Sequence, residues 1–230
     1  MLELLKEKVL EANLDLVRHN LVVFTWGNAS ERDRETGYIV IKPSGIPYDQ
    51  MKAEHMVVLD ANGKSVEGEL KPSSDAPTHV ELYRQFKEIG GVVHTHSEWA
   101  TSWAQAGKNI PAYGTTHADY FYGEIPCARA LTREEVETDY EVNTGRVIVE
   151  LFESLDYMSL PGVLVHGHAP FTWGKDGKDA VDHAVVIEEV AKMAFRTEVL
   201  GNRIPIEQFL LDKHYLRKHG KDAYYGQQYD

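Results

Sequence analysis

The chain opens with an apolar stripe at Leu2, Leu5, Val9, Ala12 and Leu16, one face of a helix over residues 2–17 whose other positions are largely Glu, Lys and Asp. Short β-branched runs then predict strands at residues 22–25, 38–41 and 56–59, the last closed by the turn-forming Asp60-Ala61-Asn62-Gly63. A helix is expected to start after Asp75 and run to about Phe86, followed by a strand over 91–96 and a helix from Ser97 to a stop at Gly107. The stretch after Pro111 and Gly114 reads as loop, 146–150 and 163–168 as strands, 179–200 as the longest helix and 206–218 as the last. No Ser/Gly-rich linker, low-complexity tract or long repeat divides these elements, so one α/β domain spanning 1–230 is expected.

Two of the strand-like runs end in paired histidines, Gly91-Val92-Val93-His94-Thr95-His96 and Gly162-Val163-Leu164-Val165-His166-Gly167-His168. Residues two apart on an extended strand share a face, so two imidazoles from one strand can reach one ion and a second strand can complete the site. A lone His-x-His pair is more often two satisfied histidines at a strand end; two such pairs tip the balance towards a metal. Three protein donors with one open position is the pattern of a catalytic site. The spacing alone does not separate His166 from His168.

Composition narrows the chemistry. With 43% hydrophobic and 26% charged residues the chain reads as a soluble globular enzyme. The single cysteine, Cys127, excludes an internal disulfide and the cysteine-rich zinc motifs, which leaves histidine and carboxylate as ligands. The net charge of -12 argues against nucleic acid or an anionic membrane as partner. An anionic substrate then needs local donors. No run approaches the roughly 18 apolar residues of a membrane helix and the first residues lack a signal-peptide pattern, so a cytoplasmic protein is expected.

Local donors are present in an internal echo, Ile41-Lys42-Pro43-Ser44-Gly45 and Leu70-Lys71-Pro72-Ser73-Ser74-Asp75. Each places Lys-Pro-Ser in a turn, the second just before a helix start, where hydroxyls, unpaired amides and a lysine suit a phosphate. Between the histidine strands, Asp119 in Thr115-Thr116-His117-Ala118-Asp119-Tyr120 is the candidate base, expected to have a raised pKa in a closed site, with His117 a weaker candidate. A tail carrying Tyr224, Tyr225 and Tyr229 is too aromatic for a solvated end and is expected to pack, where it could deliver a phenol to a neighbouring subunit.

Trp26-Gly27-Asn28, Lys42-Pro43-Ser44-Gly45, Lys71-Pro72-Ser73-Ser74-Asp75, His94-Thr95-His96, Gly114-Thr115-Thr116-His117-Ala118-Asp119 and Lys218-His219-Gly220 to Tyr225-Gly226-Gln227 together resemble the class II aldolase, epimerase and adducin-head family. The resemblance runs from end to end and is strongest to its L-ribulose-5-phosphate 4-epimerase branch. It implies a three-layer α/β/α fold, a central, mainly antiparallel mixed sheet between helices, assembled as a homotetramer with active sites at subunit boundaries. It further implies zinc, ahead of manganese, held by His94, His96 and His168 with Asp75 as a further ligand or close neighbour. Phosphate contacts are implied from Gly27, Asn28, Ser44, Gly45, Ser73 and Ser74, with Lys42 assisting, and acid/base roles for Asp119 and Tyr225 with His214 in support. The implied reaction interconverts L-ribulose 5-phosphate and D-xylulose 5-phosphate by retro-aldol cleavage and re-addition, a step of arabinose or ascorbate breakdown. The rivals are a sister sugar-phosphate aldolase of the L-fuculose-1-phosphate type and a non-catalytic adducin-like scaffold. Asp75 stands where the aldolases carry glutamate, and the intact histidines oppose the scaffold.

Overall fold

The computed structural model describes residues 2–201 and 203–226; Gln227 and Tyr229 of the closing motif lie outside them. In chain order the elements are α1 (Leu2–Arg18), β1 (Asn28–Arg32), β2 (Ile39–Ile41), β3 (Val57–Leu59), β4 (Ser65–Glu67), α2 (Ala76–Gln85), β5 (Gly91–His94) and α3 (Glu98–Ala106). There follow α4 (Thr115–Ala118), β6 (Cys127–Ala128), α5 (Arg133–Glu137), α6 (Tyr140–Phe152), β7 (Gly162–Val165), β8 (Pro170–Gly174), α7 (Gly177–Val199) and α8 (Gln208–His219).

The strands form one mixed sheet in the order β4-β3-β2-β1-β5-β8-β7-β6, antiparallel throughout except for the parallel β6/β7 pair. Both faces are covered, which is why Ile39-Val40-Ile41 and Val57-Val58-Leu59 are apolar without alternation. Ile39, Ile41, Val57, Leu59 and Val92 pack with α2 and α6 on one face, through Val80, Tyr83, Val147 and Ile148. Val40, Met56 and Val58 pack with Leu5 and Val9 of α1 on the other face, and Ala29 and Val93 lie there against α1 and Ala180, Val181 and Ala184 of α7. The helical layers on each side of the sheet agree with the expected α/β architecture. Among the described residues no helix is long and apolar enough to cross a membrane.

Three sequence expectations are corrected. Residues 22–25 are a turn and not a strand: Val23 and Phe24 are exposed, Phe24 takes φ +55°, and the strand starts only at Asn28. Residues 146–150 lie inside α6, where Val147 and Ile148 pack inward beside Asn143, Thr144 and Phe152 at helical spacing, so packing overrides their β-branched preference. The loop after Gly114 contains the short helix α4. Strands β1, β4, β6 and β8 and helix α5 were not anticipated.

His79 on α2 and His117 on α4 are buried as neutral rings, and burial pushes both pKa values down to about 4. The ring of His117 donates from Nε2 to the Gly123 carbonyl at 2.7 Å. In the unfolded chain histidine titrates near 6.5, so below that pH the unfolded state binds protons that the native state refuses. Stability is therefore complete above about pH 6.5 and declines as the pH falls towards about 4, each ring contributing up to about 3 kcal/mol at the lower limit. Urea midpoints measured from pH 7.5 to 5 will fall, and His117→Gln, neutral at every pH, will show a shallower fall.

Candidate metal and substrate site

His94 ends β5 directly opposite Phe171 of β8. Its Nδ1 donates to the Pro170 carbonyl at 2.9 Å, and its ring stacks on Phe171 with centroids 4.1 Å apart and planes at 16°. These contacts fix the ring and leave Nε2 as the free nitrogen. That nitrogen lies 3.1 Å from Nε2 of His96, just past the strand. His168 approaches from the turn after β7, its ring centroid 4.8 Å from that of His94 and 5.1 Å from that of His96. The ligand atoms of all three lie within 4.8 Å of one another.

The donor set fits a divalent ion. Two donors about 2.05 Å from a tetrahedral ion stand roughly 3.3 Å apart, close to the 3.1 Å observed between His94 and His96. Burial holds all three imidazoles below their ordinary pKa, His94 down to about 3, so each offers the neutral form that a metal requires.

The second histidine pair does not act as a strand pair. β7 stops at Val165, and Gly167, at φ +74°, turns the chain between the two rings. His166 is exposed and lies against Gly107, where a Cβ would meet its Nε2 at 2.8 Å; it takes no part in the cluster.

Asp75 precedes the first turn of α2, and its Oδ2 accepts from Asn28 Nδ2 at 2.7 Å and from Ser73 Oγ at 3.5 Å. Burial alone would raise its pKa, but His94, His79 and the Asn28 hydrogen bond together hold it below the usual carboxylate value. The other side-chain atom of Asn28, Oδ1, is buried without a partner among the described residues. Such an acceptor suits a ligand hydroxyl.

Beside the cluster opens a cleft of about 520 Å³ lined by Gly27, Asn28, Lys42, Ser44, Gly45, Ser73 and Ser74, the full set expected to touch substrate, together with Thr25, Trp26, Asp75 and His96. The two Lys-Pro-Ser turns are joined to each other: Pro43 and Pro72 form an antiparallel bridge, Ser44 N donates to Lys71 O and Ser73 N to Lys42 O, both at 2.9 Å. Gly27 is required on two counts, φ +78° and a position where a Cβ would meet Val22 Cγ1 at 2.7 Å and the His94 carbonyl at 2.9 Å. Lys42 is almost fully buried, its ammonium near the Thr25 carbonyl and the Tyr48 ring, and burial lowers its pKa.

Asp119 and Tyr225 form a second group. Asp119 Oδ1 accepts from His214 Nδ1 at 3.0 Å, Arg217 bonds both carboxylate oxygens at 2.9 and 3.0 Å, and Lys218 lies 3.5 Å from Oδ2. The Tyr225 ring sits over Arg217 at 5.0 Å and Lys218 at 4.4 Å and is 61% exposed. The raised pKa expected of Asp119 is corrected. Burial does push it up, but His214, Arg217 and Lys218 outweigh burial and hold it below the ordinary value. Among the described residues no hydrogen bond, ion pair or ring contact links Asp119 or Tyr225 to the histidine cluster or the cleft. The sequence reading missed Phe171 and Tyr140, whose phenol lies 3.3 Å from Nδ1 of His168; neither belongs to a local motif.

Comparison with known proteins shows the family and the fold. Residues 7–195 match the family described as the class II aldolase and adducin N-terminal domain. A solved L-fuculose 1-phosphate aldolase is 25% identical with a TM-score of 0.80, covering 94% of this chain and 96% of its own. The L-fuculose 1-phosphate aldolase from Glaciozyma antarctica PI12 is 17% identical, with a TM-score of 0.75 and coverage of 96% and 84%. The enzyme of the same name from Thermus thermophilus is 19% identical, with a TM-score of 0.67 and coverage of 88% and 98%.

Proposed function

The chain belongs to the class II aldolase and adducin N-terminal domain family, and from that premise we propose that it is a zinc-dependent epimerase interconverting L-ribulose 5-phosphate and D-xylulose 5-phosphate. The observation that carries the reading is the junction of three neutral imidazoles with a polar cleft built from paired Lys-Pro-Ser turns. His94, His96 and His168 would hold the ion, which when bound would supply Lewis-acid chemistry to the oxygens of the sugar. Ser44, Gly45, Ser73, Ser74, Gly27 and Asn28 anchor the phosphate, with Lys42 adding positive charge beneath them. Asp75 orders Asn28 at the inner wall.

Chemistry at carbon four requires two proton-handling groups, one on each face. The base takes the proton from the hydroxyl on carbon four as the bond between carbons three and four breaks, leaving an aldehyde and an electron pair on the other fragment. After the aldehyde turns over, the bond re-forms on its opposite face and the other group returns a proton to the oxygen. Asp119, ionised among its cations, and the phenol of Tyr225 are the pair we assign. Because no contact joins them to the cleft within one chain, the assignment requires a second copy of the chain whose cleft this pair completes, and the homotetramer implied by the family resemblance would supply it.

Aldol cleavage is the second reading, favoured by the likeness to the L-fuculose 1-phosphate aldolase. Zinc-loaded protein given L-ribulose 5-phosphate is expected to form D-xylulose 5-phosphate without accumulating dihydroxyacetone. Net cleavage without epimer would refute the proposal in favour of the aldolase.

A further inference from the structure

We propose that Tyr140 is a positioning residue for His168: its phenol oxygen accepts the Nδ1 proton, so that the lone pair of His168 stays on Nε2 and is aimed into the histidine cluster. The inference rests on the functional reading in taking the three histidines as metal ligands. The Oη to Nδ1 separation is 3.3 Å, and the two rings lie 6.0 Å apart at 39°.

A metal-binding imidazole needs its second nitrogen committed, because an uncommitted ring samples both tautomers and turns freely about its terminal torsion. His94 is held by a backbone carbonyl and a stacked ring within the sheet. Among the described residues no backbone carbonyl accepts from the His168 ring, and its partner comes from a helix. Tyr140 is the first residue of α6, and that end of the helix is fixed. Its own carbonyl accepts from Thr144 Oγ1 at 2.9 Å, and the Glu141 carbonyl accepts from Thr78 Oγ1 of α2 at 2.6 Å. Gly145 lets α6 approach α2 closely, since a Cβ there would stand 2.8 Å from that of Glu81. Asp75 lies just before α2, the helix against which α6 packs.

Tyr140→Phe removes one oxygen and keeps the ring. With the metal-free variant unfolding at the wild-type temperature, its affinity for Zn²⁺, measured by competition with a chromogenic chelator, should fall about tenfold or more. In protein with ¹⁵N-labelled histidine, His168 of the metal-free wild type should carry its proton on Nδ1, and Tyr140→Phe should give a mixture of tautomers. Unchanged zinc affinity together with an unchanged tautomer would overturn the proposal while leaving the functional reading intact. A wild-type protein that binds no stoichiometric zinc would overturn both.

Discussion

His96→Asn is expected to fold normally, to lose its stoichiometric divalent ion and to retain no more than about one-thousandth of wild-type kcat/KM, a loss near 4 kcal/mol of transition-state stabilisation. His96 is the exposed member of the cluster and lines the cleft, so its removal leaves no hole in the core. What it removes is one of three nitrogen donors. Two imidazoles and a weak amide oxygen form a much poorer site, and the Lewis acid departs with the third ligand. Metal analysis beside a steady-state assay checks both halves. A variant that keeps its ion and its rate would eliminate the three-histidine assignment. Mixing offers a sharper version: Tyr225→Phe impairs the other cluster, so two damaged proteins, dissociated and reassembled together, should regain activity in about one quarter of their sites by random assortment. If both clusters served one chain, mixing would restore nothing.

The largest stability effect is expected at Gly91. A Cβ there would stand 2.2 Å from the Asp176 carbonyl oxygen, 2.3 Å from its carbon and 2.5 Å from Gly177 N, all backbone atoms at the start of α7. No rotamer change relieves a clash with main chain, so Gly91→Ala must push β5 away from α7. Overpacking typically costs about 1–3 kcal/mol, and a clash with main chain belongs at the top of that range; about 3 kcal/mol lowers the unfolding temperature by roughly 6–12 °C in a chain of this size. Because β5 ends at His94, zinc affinity should fall as well. Gly114→Ala is the control: its backbone is extended and nothing lies within 4 Å of the added methyl, so it should stay within about 0.5 kcal/mol of wild type. Equal midpoints for the two variants would show that β5 and α7 can separate at little cost.

Legibility in the sequence followed the range of the forces involved. α1, α7 and strands β2, β3, β5 and β7 were readable because burial imposes a local period or an unbroken apolar run. β1, Asn-Ala-Ser-Glu-Arg, was not, although it sits in the middle of the sheet. Its polar residues are buried because Asn28 meets Asp75, Ser30 meets His79 and Glu31 accepts from Gly177 N, partners 47, 49 and 146 positions away. β8 hides behind the proline at its first position, and the Val147-Ile148-Val149 run of α6 carries a strand preference that packing against α2 overrides. In the site the same division holds. The histidines and the Lys-Pro-Ser turns announce themselves by spacing, whereas Phe171 depends on strand register and Tyr140 on the pairing of two helices.

The bridge between Pro43 and Pro72 has a mechanical consequence. Two segments about thirty residues apart share main-chain hydrogen bonds before any ligand arrives, so the floor of the cleft need not be ordered at the moment of binding. A phosphate seated there rests on a fixed pivot. In the epimerisation proposed above, a fragment tethered at that end would swing through half a turn without departing.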